Sequence, residues 1–332
     1  MRKEREMIYK KNWKLTKKYL FYRLHTDQIS IGSYKAEESH IRYILDWADS
    51  SSFEKAPSIV PTFPEFIQKA HLDVQKDHLS PVHIKKILST ARRFFSWLYE
   101  NDYEYRTLKP SWIAKIRNKR LSEIPQNKEY VTIEEVIKIA HAPIESLVEQ
   151  RIRASAVFLF LSGMRVGAFV SLPIKAVDIK NRYVYQYTSL GVRTKNGKSA
   201  KTILYKIPEL LEIVEDWDNL VRNSLPDCGY WFAPFSPDTG EIDISCKDVG
   251  LARSNLFRKN LQAWLQKVGL PYHSSHKFRH GHVHYGQAHS KTQEDYKAIS
   301  QNVMHSSTGI TDQFYSNMDD DMKKERIDSM FA

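Results

Sequence analysis

In the run SPVHIKKILSTARRFFSWLYEN, residues 80–101, apolar side chains recur at Ile84, Ile87, Leu88, Ala91, Phe94, Phe95 and Leu98. Steps of three and four place them on one face of a helix, and that face needs a core to bury it. Ser80 stands where an N-cap hydroxyl is wanted, and Pro81 falls at the first helical position, where its missing N–H leaves nothing unpaired. The helical pattern extends over residues 30–110, with breaks at SSSFEKAPS and DHLSP. It stops at RNKRLSEIPQNKEY, residues 117–130, which is charged, contains Pro125 and has no period; residues 119–129 read as a linker. Beyond it Thr132 and Glu135 have the spacing of a capping box, which opens a new helix and a second domain over 130–332.

One segment of the second domain leaves the helical period. RYVYQYTSLGVRTKNGKSAKTILYKIP, residues 182–208, alternates β-forming residues about a turn of Lys, Asn and Gly, which predicts a hairpin with a basic tip. The expected fold is mainly α with a small antiparallel β-sheet, an α+β class in two domains. Residues 29–118 form the helical domain and 130–332 the second, with residues 1–28 as a basic N-terminal arm. There is no internal repeat and no low-complexity tract.

Composition then narrows the partner. With 332 residues, 42% of them hydrophobic, the chain can build a core in each domain. Fifty Lys and Arg against thirty-nine Asp and Glu leave a net charge of +11, which favours a polyanion such as nucleic acid over an acidic small molecule. On the helix at 80–101, Lys85, Lys86, Arg92 and Arg93 form a basic strip away from the apolar stripe. Such a strip can lie along phosphates or simply face water. The most apolar stretch, ASAVFLFL at 154–161, reads as core, being far shorter than the ~18 residues of a membrane span. The opening MRKEREMIYKKNWKLTKKYL lacks the apolar region and cleavage site of a signal peptide, so an intracellular protein is expected. Cys228 and Cys246, the two cysteines, give neither a disulfide framework nor a cysteine zinc site.

Four separated stretches offer groups suited to binding or breaking a phosphodiester. LSGMRVGAFVSL, 161–172, sets Arg165 among apolar neighbours, and the hairpin tip crowds Lys195, Lys198 and Lys201. HSSHKFRHGHVHYGQAH, 273–289, holds six of the thirteen histidines and puts His276 and Arg279 on adjacent turns of one helix face. VMHSSTGITDQFYSNM carries His305 and, ten residues later, Tyr315. Each is a weak signal alone, but the order Arg, Lys, H-x-x-R, His, Tyr along about 150 residues of a basic chain is uncommon.

In that order the chain resembles the tyrosine site-specific recombinases, the phage integrase family. SGMRVGAFVSL looks like the family's first arginine box, HKFRHGHVHYG like its H-x-x-R-H box and VMHSSTGITDQFY like its closing box; the likeness runs over residues 30–320. It implies a two-domain clamp on double-stranded DNA, with residues 30–118 as the core-binding domain and 126–332 as the catalytic domain. It also implies Arg165 and Arg279 as the pair that clamps the scissile phosphate, His276 and His305 as their partners, and Tyr315 as the nucleophile. Lys195 best matches the family's hairpin lysine, with Lys198 and Lys201 as alternatives in the same turn. The resemblance further implies chemistry without a metal or other cofactor, a tetrameric synapse, and a place in the cytoplasm of a bacterial, archaeal, phage or mobile-element system. Three departures stand out: Ala168 replaces an acidic residue, Met304 replaces a glycine, and the His305 to Tyr315 spacing is one residue longer than usual.

Other readings remain. His276, His280 and His284 recur every four residues, as metal ligands would, but no nearby carboxylate or cysteine completes a familiar site. His280 reads as a supporting residue, and His273, His282, His284 and His289 as surface or packing residues. A DNA-binding protein of the same fold without catalysis, or a type IB topoisomerase acting as a monomer, would share much of this pattern. The tail SNMDDDMKKERIDSMFA, 316–332, could form an amphipathic helix anchored by Met322, Ile327 and Phe331 that docks on a neighbouring protomer.

Overall fold

The computed structural model describes residues 9–69, 79–117, 129–236, 238–244, 250 and 252–304. The chain divides into two compact units, Met1–Gln126 and Asn127–Ala332. Among the described residues no helix is long and apolar enough to cross a membrane.

The first unit is built from α1 (Lys10–His25), α2 (Ile31–Ala48), α3 (Phe63–Lys69), α4 (Pro81–Asn101) and α5 (Pro110–Ile113). Helix α4 begins as its sequence dictates, with the Ser80 hydroxyl accepting from the His83 N–H at 3.2 Å. Its apolar stripe supplies Ile87, Leu88, Ala91, Phe94, Phe95 and Leu98 to a core closed by Tyr19, Ile44, Trp47 and Phe53. Part of the segment 1–28, read from sequence as a basic arm, is described, from residue 9 onward. Residues 10–25 are helical and bury Leu15, Tyr19 and Leu20 in this core, where Tyr19 meets Phe94 edge-on at 5.2 Å. Buried Glu37 binds Arg23 at 2.8 Å and Arg93 at 3.0 Å, so the last arginine of the basic strip also braces α2. Lys85, Lys86 and Arg92 are exposed.

The second unit continues with α6 (Ile133–His141), α7 (Leu147–Ser162), α8 (Val166–Phe169), α9 (Pro208–Ser224), α10 (Arg253–Lys267), α11 (Ser275–His289) and α12 (Gln293–Asn302). The capping box is formed: Thr132 Oγ1 accepts from the Glu135 N–H at 3.3 Å, and Glu135 Oε2 accepts from the Thr132 N–H at 3.0 Å. Helix α7 carries ASAVFLFL and is buried on every side, as a helix apolar all round must be. It packs against α6, α9, α10 and α11 and so forms the centre of the unit.

Three short strands, β1 (Val177–Asp178), β2 (Tyr183–Gln186) and β3 (Ala200–Ile203), make an antiparallel sheet in that order. Tyr183 lies opposite Ile203 and Tyr185 opposite Lys201. The expected hairpin is present, but its strands are shorter and its connection, residues 187–199, is longer than a tight turn. Lys201 is therefore on β3 and outside the turn, its Nζ 3.3 Å from the centre of the Tyr183 ring.

Candidate active site

Helix α7 ends at Gly163, which takes the left-handed conformation at φ +59° and donates its N–H to the Leu159 carbonyl at 2.9 Å. A methyl group here would lie 2.5 Å from His282 Cδ2 and 2.8 Å from Val303 Cγ1. Only glycine fits the turn. The chain then passes through buried Met164 to Arg165, which is half-buried and opens α8. Ala168, where the family usually has an acid, is buried in α8, and the turn that carries Arg165 is fixed from another helix.

That helix is α11. Arg279, 3% exposed, donates from Nη1 to the Gly163 carbonyl at 2.7 Å and from Nη2 to the Val303 carbonyl. One guanidinium thus joins the first arginine box to the chain entering the last box. Two glycines let α11 approach its neighbours closely. A Cβ at Gly281 would be 2.0 Å from the Val131 carbonyl oxygen, and one at Gly286 would be 2.2 Å from Tyr205 Oη. The Tyr205 hydroxyl donates to the His282 carbonyl at 3.0 Å, and its ring stacks on the His282 imidazole at 3.9 Å. The His282 Nδ1 lies 2.7 Å from the Phe160 carbonyl, which assigns the proton to that nitrogen. Complete burial pushes its pKa down to about 3, so His282 is a neutral packing residue.

His276 projects from the first turn of α11 and is exposed, its ring edge-on to His280 at 4.3 Å. Desolvation of the ring lowers its pKa, and the charges of Arg279 and Arg165 lower it further. Desolvation and the two arginines thus act in the same direction, towards the neutral imidazole. Arg165 and the pair His276 and Arg279, more than a hundred residues away in sequence, therefore share one electrostatic site.

Among the other histidines, His273 Nε2 lies 2.9 Å from Glu135 Oε1, and His284 stacks on Tyr130 at 4.0 Å. His289 is exposed, with Nδ1 2.8 Å from the Tyr285 carbonyl. Among the described residues no three His, Cys, Asp or Glu side chains are grouped to hold a metal ion.

Lys195 and Lys198 lie exposed in the loop between β2 and β3, where Asn196 and Gly197 turn the backbone at φ +62° and +65°. The base of this loop is tied to the Arg165 box, because the Ser171 hydroxyl accepts from the Arg193 N–H at 2.8 Å. No local pattern singles out Ser171, and the only signal for Gly163 is its place one residue beyond a helix. Met304 is left-handed at φ +57°, which explains why a glycine is usual in that place. His305, Tyr315 and the tail 316–332 lie outside the described residues.

A helical unit followed by one that is helical around a small three-stranded sheet is the architecture of the tyrosine recombinases. Residues 129–322 match the phage integrase family, and the chain belongs to that family. Its enzyme class is that of the DNA recombinases. A lambda integrase (75–356) dimer bound to a COC′ core site is 16% identical with a TM-score of 0.63, covering 91% of this chain and 94% of that one. A lambda integrase tetramer bound to a Holliday junction is 15% identical with a TM-score of 0.63, covering 91% and 76%. The Tn1549 transposon integrase in complex with transposon right end DNA is 14% identical with a TM-score of 0.60, covering 97% and 99%. No curated protein matches at a significant level.

Proposed function

We propose that this chain is a site-specific recombinase that cuts and rejoins DNA strands through a covalent link between Tyr315 and a 3′-phosphate. The Tyr315 hydroxyl attacks phosphorus, the bond to the 5′-oxygen breaks, and the phosphate is left on the tyrosine. Attack by a free 5′-hydroxyl reverses the step. Phosphodiester energy is kept in the link, so rejoining needs no nucleotide cofactor. The observation that carries this reading is the convergence of Arg165, Arg279 and His276 beside the turn at Gly163.

The roles follow from charge and protonation. Negative charge builds on the phosphoryl oxygens in the transition state and is met by fixed cations. Arg165 is the fork that faces the phosphate. A guanidinium has five N–H donors, and Arg279 uses Nη1 and Nη2 on backbone carbonyls, so it acts as a brace and a buried charge as much as a clamp. His276, neutral near pH 7 because its pKa is lowered, can take the proton of a phenol whose ordinary pKa is about 10. His305 supports the phosphate from the last box. Lys195, on its exposed loop, donates a proton to the leaving 5′-oxygen.

The net charge of +11 suits double-stranded DNA as substrate. Exchange between two duplexes, as in the tetramer on a Holliday junction formed by lambda integrase, needs four protomers. The linker at 119–129 would let the two domains close on DNA in the cytoplasm, and the tail 316–332 would dock on a neighbouring protomer.

The test is to express wild type and Tyr315→Phe in cells, denature without crosslinker, capture the protein and sequence the attached DNA. DNA on wild type alone, ending at a shared motif, is the expected result and also identifies the site. DNA on neither protein, with both still binding DNA, would replace this reading by that of a catalytically silent binder.

A further inference from the structure

We propose that Ser171 and Asn302 are positioning residues for the hairpin lysine, pinning the loop at 187–199 from its two sides. The inference rests on the reading of Lys195 as proton donor to the leaving 5′-oxygen. Ser171 is 2% exposed, and its hydroxyl both donates to the Ala168 carbonyl at 2.9 Å and accepts from the Arg193 N–H at 2.8 Å. Arg193 is two residues before Lys195, and Ala168 is in the helix that Arg165 opens. One hydroxyl thereby ties the lysine loop to the element of the first arginine.

Asn302 holds the far side. Its Oδ1 accepts from the Ile203 N–H at 2.7 Å, and its Nδ2 donates to the Ile203 carbonyl at 2.9 Å. Ile203 lies opposite Tyr183 on the edge strand, so both of its backbone groups point away from β2, as in a non-hydrogen-bonded antiparallel pair. The Asn302 amide takes the place of a neighbouring strand and closes an edge that would otherwise stay open. Thr202 Oγ1 adds a donation to the Asn302 carbonyl at 3.2 Å, and Gln186 Nε2 donates to Thr202 Oγ1 at 2.6 Å. Asn302 ends α12, one residue before Val303, whose carbonyl Arg279 holds, and three before His305.

The loop carrying Lys195 is exposed over most of its length, yet a general acid works only within hydrogen-bond reach of its oxygen. Two anchors, one on the Arg165 element and one on the chain leading to His305, restrict where that loop can stand. Releasing either one slows proton delivery and leaves phosphate binding unchanged.

The experiment uses the full-length protein on the DNA site recovered by covalent capture. Cleavage is timed on a duplex with the ordinary 5′-oxygen and on one with sulfur at that bridging position, since a thiolate departs without a proton. Lys195→Ala, Ser171→Ala, Asn302→Ala and Asn302→Asp are compared with wild type. Ser171→Ala and Asn302→Ala should cut the oxygen substrate about tenfold more slowly, a part of the ~10²–10⁴ that a general acid supplies, and the sulfur substrate within about twofold of wild type. Asn302→Asp, which keeps the acceptor for the Ile203 N–H, should fall between. The Ile203 amide should exchange faster in Asn302→Ala. Equal slowing on both substrates, or no slowing on either, overturns the inference. Lys195→Ala that sulfur fails to rescue overturns the acid assignment beneath it, and a wild type inert on both substrates overturns the recombinase reading itself.

Discussion

At Gly163 the chain turns through φ +59° with His282 and Val303 packed where a side chain would begin. Gly163→Ala combines a strained backbone with overpacking and should cost about 1–3 kcal/mol in denaturant unfolding. Arg165 follows on the same turn, so cleavage should fall as well; unchanged stability would contradict the packing. His276 sets a pH dependence. Its lowered pKa keeps the ring neutral through neutral pH, and protonation on the acid side removes its ability to take the tyrosine proton. Cleavage rate should therefore fall only below the ordinary histidine pKa of about 6.5, and His276→Gln should lose that limb along with most of the rate. An acid limb at a higher pH, or one that survives in the variant, would contradict this role. Met304 was legible as a departure from the family pattern. Its cost was not, because a left-handed φ appears only in the folded backbone.

Helix α4 and the capping box of α6 could be read from sequence because their signals are local: a stripe of apolar residues, a cap, a proline at the first position. Helix α1 was missed because its buried Leu15, Tyr19 and Leu20 are scattered among lysines, and only α2 and α4 give them a core to join. The close approach of α11 was also hidden, since glycine inside a helix reads as a weakness of about 1 kcal/mol until the neighbours at Gly281 and Gly286 are seen. The basic strip of α4 supports a prediction at this scale. Replacing Lys85, Lys86 and Arg92 with Ala should weaken binding to all DNA sequences alike and reduce the salt dependence of log K by about one for each phosphate no longer neutralised. Arg93→Ala should in addition destabilise the first unit, because it removes a partner of buried Glu37. Anisotropy titrations over a range of salt measure the slope; an unchanged slope would mean that the strip only faces water.

Across the whole chain, the class of protein was readable because a few residue types recur in a fixed order, while their convergence required the fold. Nothing local in the sequence says that Arg279 would bind the carbonyls of Gly163 and Val303, or that Asn302 would meet an edge strand a hundred residues away. These contacts join the arginine boxes, the lysine loop and the chain before His305 into one assembly. The central claim, that Tyr315 carries the cut strand, is tested most directly by digesting captured protein–DNA complexes and finding by mass spectrometry which residue bears the nucleotide remnant. A 3′-phosphate on the Tyr315 peptide is the predicted result. A remnant on another residue, or a link through a 5′-phosphate, would contradict it.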